Sequence, residues 1–99
     1  MMNPPGETRE ERERMTRLAL SRVVRRRMTG RRPRRISQAG LARRSGVSRS
    51  YVYSVLAAEA SGPLFLYLEL CGGLATDPCD LLRELLYERD AIRGASRDA

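Results

Sequence analysis

Ser48, Arg49, Ser50, Tyr53 and Ser54 are the residues of this sequence best suited by type and spacing to grip another molecule. A guanidinium holds its donors in a planar fork that meets two acceptors at once on a guanine edge or a phosphate, and the hydroxyls both donate and accept. Upstream stand Gln38, Arg43 and Arg44, and before them the segment GRRPRR, Gly30 to Arg35, with Arg31, Arg32, Arg34 and Arg35. This is binding chemistry. The chain has no histidine, no glycine-rich phosphate loop and no motif that sets a nucleophile beside a base, which excludes the common routes to catalysis. Cys71 and Cys79 are eight residues apart without histidine partners and fit no zinc pattern, so they read as reduced thiols packed in or near a core, with no metal and no cofactor implied.

Charge says what such a surface would meet. The 99 residues carry 19 arginines, no lysine and 12 acids, for a net charge of +7. Residues 1–49 hold 15 Arg and 4 Glu, whereas residues 50–99 hold 4 Arg and 8 acids, so one half carries +11 and the other −4. The first half is suited to a polyanion. The opening MMNPPGETREERER is polar where a secretory signal needs an apolar run, and Leu64 to Leu70 is interrupted by Glu69, so a cytoplasmic protein without a membrane span is expected. A chain of this length holds one domain, leaving any switch to that domain or to a partner.

The elements that must position the arginines follow from punctuation and period. Residues 1–7, with two prolines and a glycine, read as a loose tail. Thr8 caps a first helix, and Glu10, Glu11 and Glu13 suit the positive end of its dipole. Met15, Leu18, Ala19, Val23 and Met28 keep its helical period to about Thr29. GRRPRR is a basic loop. Ser37 caps a second helix, Gly46 breaks it, and Ser48 caps a third that runs to about Ala60, before Ser61, Gly62 and Pro63. Leu64 to Cys71 forms a fourth, with Leu64, Tyr67, Leu68, Cys71 and Leu74 inward. Asp77 and Pro78 start a fifth, carrying Leu81, Leu82, Leu85 and Leu86. The expected fold is all-α, a compact bundle of about five short helices without sheet or repeat. It forms a single domain over 8–93, with a frayed tail over 94–99.

Two short helices that cross steeply need a turn residue able to take positive φ, which Gly46 supplies. Leu41, Val47, Val52 and Val55 point into the crossing, and Ala42 is small where the helices approach. That leaves Arg49, Ser50, Tyr53 and Ser54 outward, while Tyr51 reads as a partly buried packing residue.

The phrase SQ, then Leu41-Ala42, then Ser45 to Val52 (SGVSRSYV) resembles the helix-turn-helix of the Cro and lambda-repressor type, also called Xre-like. The resemblance covers Ile36 to Leu82 well and the first helix loosely. It implies a lambda-repressor-like DNA-binding domain with its helix-turn-helix at 37–56, and a small bacterial or phage transcription regulator, most simply a repressor. Arg49, Ser50, Tyr53 and Ser54 are then the base-reading face in the major groove of double-stranded DNA. Gln38 and Ser48 match positions that meet the DNA backbone or support the reading helix. Arg43 and Arg44 are backbone contacts or an ordinary solvated face.

Two departures carry further expectations. Relatives place an acid and then an Arg-Gly pair after the reading helix, where this chain has Leu56, Ala57 and Ala58. The phosphate contact there is lost, and the helix is expected to run a turn longer. The loop arginines Arg31, Arg32, Arg34 and Arg35, with Arg25, Arg26 and Arg27 before them, either take over that contact or form a solvated loop. Phe65 and Leu66 stand where relatives are polar, and with Leu56 they form an expected apolar patch for a homodimer reading a palindrome. Alternatives from other classes are an antitoxin-like or phage regulatory protein whose patch binds another protein, and an RNA-binding protein.

Overall fold

Thr8 opens the first helix in the computed structural model, which describes residues 3–30 and 35–98. Its hydroxyl accepts from Glu11 N at 3.1 Å and the Glu11 carboxylate accepts from Thr8 N at 3.1 Å, the reciprocal pairing of a capping box. Helix α1 (Arg9–Met28) buries Met15, Ala19, Leu20, Val23, Val24 and Met28. Helix α2 (Gln38–Ser45) begins where Ser37 Oγ accepts from Gly40 N, and α3 (Arg49–Leu56) where Ser48 Oγ accepts from Tyr51 N. Helix α4 (Leu64–Gly73) follows Pro63. Helix α5 (Pro78–Asp98) starts with Asp77 Oδ1 accepting from Cys79 N at 2.7 Å. The fold is all-α: five helices and no strand among the described residues.

Helices α1 and α5 run antiparallel and pack along their length, forming the frame on which α2, α3 and α4 sit. The core joins α1 (Leu20, Val23, Val24) to Leu41, Val52, Val55, Leu70, Cys71, Leu81 and Leu85. At one end of the seam Arg26 reaches Glu84 and Glu88, and Arg27 reaches Glu84 at 2.7 Å. At the other, Arg93 grips the Glu7 carboxylate through Nε at 2.7 Å and Nη2 at 3.0 Å. Glu7, the last residue of the expected loose tail over 1–7, is thus fastened to α5.

Partial burial by itself would raise the Glu84 carboxyl pKa, but hydrogen bonds from Arg27 and Arg26 outweigh that and hold it below the ordinary carboxylate value. A depressed folded-state pKa contributes stability above the unfolded pKa, and that contribution is lost as pH falls through the folded value. Both arginines are substantially exposed, so Glu84→Gln is expected to cost about 0.5–1 kcal/mol at neutral pH and to flatten the acid limb of a stability profile. Chemical denaturation across pH 3 to 7 measures this; parallel profiles for the two proteins would contradict it.

Three expectations are corrected. The third helix stops at Leu56 and does not continue to Ala60: Ala58 turns left-handed at φ 61°, Glu59 N donates to Ser54 O at 2.8 Å and Ala58 N to Val55 O at 3.1 Å. That is a Schellman ending built on alanine. Glycine at this position removes a steric penalty of about 1–2 kcal/mol and adds chain entropy, so Ala58→Gly is expected to stabilise by about 0.5–1 kcal/mol in thermal or denaturant melts. Destabilisation would mean that Ala58 is not held left-handed. The fifth helix extends past Gly94 to Asp98, so residues 94–98 of the expected frayed tail are helical. The fourth helix is rotated from its expected setting: Leu64 and Leu68 face outward, and Leu70 takes the buried place. Gly73, one turn after Leu70, lies against Ser45 of α2, and this close approach sets the rotation.

Candidate nucleic-acid interface

Between α2 and α3 the chain turns in three residues, with Gly46 at φ +80°. Leu41, Ala42, Val47, Val52 and Val55 are buried across this turn, as the spacing implies. Burying one side of each short helix decides what the other side shows. Arg49 and Ser50 are exposed, Tyr53 is 61% exposed, and Ser54 is half-buried beside them. Gln38, Arg43, Arg44 and Ser48 are exposed as well, with Ser48 also serving as the cap of α3. From Arg14 to Ala58 the sequence contains no acid, so nothing on α2 or α3 neutralises these arginines.

Both ends of α3 are tied to neighbouring segments by side-chain hydrogen bonds. Tyr51 lies half-buried against the Gly62 backbone, where a Cβ would come within 2.5 Å of its hydroxyl oxygen, and that hydroxyl donates to Ser61 O at 2.8 Å. Burial pushes the Tyr51 pKa up, which keeps the hydroxyl protonated and able to donate. At the C-terminal end the Leu56 carbonyl accepts from Ser21 Oγ at 2.7 Å and Arg25 Nη2 at 2.8 Å. Helix termini leave carbonyls without intrahelical partners, and here α1 supplies two donors to one of them. Sequence reasoning passed over Ser21 as a positioning residue and expected Arg25 to supplement the basic loop, whereas its guanidinium is engaged on the Leu56 carbonyl. Ser21, a small polar residue among the apolar positions of α1, was the available signal.

Leu56, expected in an outward patch, is 5% exposed and belongs to the core. Its anchored carbonyl and its place four residues after Val52 turn the side chain inward. Leu66 is half-buried against the same core, four residues before Leu70. Phe65 remains outward at 66% exposure, and its companions on α4 are Leu64 and Leu68. The loop arginines Arg31, Arg32 and Arg34 lie outside the described residues, and Arg35 is exposed. Arg26 and Arg27 are committed to Glu84 and Glu88, which removes them from the set expected to supplement the loop.

Of the two thiols Cys71 is buried and Cys79 exposed, and both are free. Burial pushes the Cys71 pKa up, which keeps it a thiol. Among the described residues no three His, Cys, Asp or Glu side chains gather as a metal-binding group, and no helix is long and apolar enough to cross a membrane. Compared with protein-family models, curated proteins and solved structures, the chain matches none.

Proposed function

We propose that this chain is a sequence-specific double-stranded DNA-binding regulator, acting as a repressor, with α2 and α3 as its helix-turn-helix. The observation that carries this reading is the acid-free outer face of α3, where Arg49, Ser50 and Tyr53 project from a helix capped by Ser48 and fixed at both ends. An α-helix fits the major groove of B-DNA, and residues at its N-terminal end reach base edges there. Gln38, Arg43, Arg44 and the loop arginines supply backbone contacts, which set register without reading sequence. Selection of the purified chain against random duplexes tests the function directly. Enrichment of a short motif supports it, and failure to enrich any motif removes it.

A homodimer on a palindromic operator is the assembly we favour, through the outward stripe of Leu64, Phe65 and Leu68 on α4. The same stripe supports the second reading, in which the patch holds a different protein and DNA binding is autoregulatory. Because Phe65 is outside the core, Phe65→Asp is expected to leave the melting temperature nearly unchanged and to shift sedimentation from dimer to monomer. Unfolding of the variant would mean that the ring is packed, and an unchanged dimer would move the interface elsewhere.

A further inference from the structure

Three arginines of the basic run that closes α1 have carboxylate partners: Arg22 reaches Glu88 at 3.6 Å, Arg26 reaches Glu84 at 3.0 Å and Arg27 reaches Glu84 at 2.7 Å. Among the described residues Arg25 meets no carboxylate. Its Nη2 donates to the Leu56 carbonyl at 2.8 Å, an acceptor without net charge. A guanidinium carries five N–H donors, so Arg25 keeps its full charge and most of its donors while its fork is held at the end of α3.

That place adjoins the start of α2. Arg25, Thr29, Arg35, Ser37 and Gln38 line one open hollow beside Leu56, and no acid is among its lining residues. Arg49 and Leu56 stand seven residues apart on α3, about 10 Å at 1.5 Å per residue. The major groove is about 12 Å wide, so a helix that sets Arg49 against base edges brings its Leu56 end to the phosphates along the groove.

We infer that Arg25 is a DNA-backbone contact, a guanidinium that bridges the end of the reading helix to a phosphate, with Arg35 and Gln38 beside it. This rests on the DNA-binding reading and adds to it a residue from α1. The Leu56 carbonyl fixes the side chain before DNA arrives, so less rotamer freedom is lost on binding. Nη2 stays on the carbonyl and the remaining N–H groups meet the phosphate, a charge-assisted pairing for which a planar fork is suited.

Ser21 supplies the control, since its hydroxyl donates to the same carbonyl at 2.7 Å and carries no charge. The measurement is the affinity of the full chain for a selected duplex and for a mixed-sequence duplex over a range of salt concentrations. Arg25→Gln is expected to flatten the slope of log affinity against log salt by about 0.9 on both duplexes, the share of one neutralised phosphate, and to leave base preference unchanged. Arg25→Lys, which keeps the charge, is expected to hold the slope. Ser21→Ala, which loosens α3 without removing charge, is expected to lower affinity at an unchanged slope. Arg25 is exposed and Ser21 still serves the Leu56 carbonyl, so Arg25→Gln keeps the fold. An unchanged slope in Arg25→Gln overturns the proposal, as does an equal flattening in Ser21→Ala, which would trace the effect to the position of α3. If the unaltered chain binds no duplex, the DNA-binding reading falls and this inference with it. If the unaltered chain enriches a motif and Arg25→Gln keeps its slope, this inference alone falls.

Discussion

Replacing Gly73 by alanine is expected to destabilise the fold by about 2–3 kcal/mol, at the upper end of the cost of overpacking. The same change one residue earlier, Gly72→Ala, is expected to stabilise it by about 0.5–1 kcal/mol. A Cβ on Gly73 would stand 2.6 Å from Ser45 Cβ and 3.0 Å from the Ser45 Cα and N, so part of the clash is with backbone. Ser45 cannot move aside cheaply. Its hydroxyl donates to Leu41 O at 2.6 Å, and it is the last residue of α2 before the left-handed Gly46. Gly72 faces solvent with nothing within 4 Å of an added Cβ, so alanine there brings better helix propensity without a clash. For a domain of this size 1 kcal/mol moves the melting temperature by about 4–8 °C, which makes the opposite signs easy to see in a thermal melt. Equal effects at the two positions would mean that α4 does not dock on the end of α2. The contact also bears on the proposed DNA reading, because the turn after Ser45 aims α3.

How much of this was legible in the sequence depended on whether a residue's role was local. The caps Thr8, Ser37 and Ser48, the turn at Gly46 and the burial of Leu41, Val47, Val52 and Val55 follow from spacing, and the structure has all of them. Leu56 was legible too, since it follows Val52 by four and Val55 by one, and a helix face that buries those two buries it. Assigning it outward let the family position outweigh the period. The end of α3 was hidden for a different reason: alanine is a poor left-handed residue, so neither Ala58 nor Ala75, at φ 53°, signals a stop. The rotation of α4 was not legible. Leu64 to Leu70 is apolar on every side except Glu69, so the pattern carries no phase, and the phase comes from Gly73 meeting Ser45, a contact between residues far apart in sequence. Likewise, nothing near Arg26 or Arg27 in the chain shows that Glu84 and Glu88 will claim them, which is why the basic run before the loop looked available to DNA.

Loss of the Arg49 side chain is expected to weaken binding to a selected duplex by about 1–3 kcal/mol, the discrimination a well-placed guanidinium gives at one base pair. That is roughly fivefold to 150-fold in affinity. Binding to mixed-sequence DNA should fall much less, because backbone contacts carry the non-specific part and Arg49 is one positive charge among many. The melting temperature is expected to stay put: Arg49 is exposed, and no described residue pairs with it. Stability therefore acts as the control that separates reading from folding, which the core positions of α3 cannot offer. Val52→Ala would lower binding by loosening the helix, whereas Arg49→Ala lowers it with the helix intact. Repeating the duplex selection with the Arg49→Ala protein sharpens the result, since a base-reading residue leaves one position of the motif degenerate and the rest unchanged. A uniform loss at every position and on mixed-sequence DNA alike would make Arg49 a phosphate contact. Unchanged affinity for both duplexes would take α3 out of the groove.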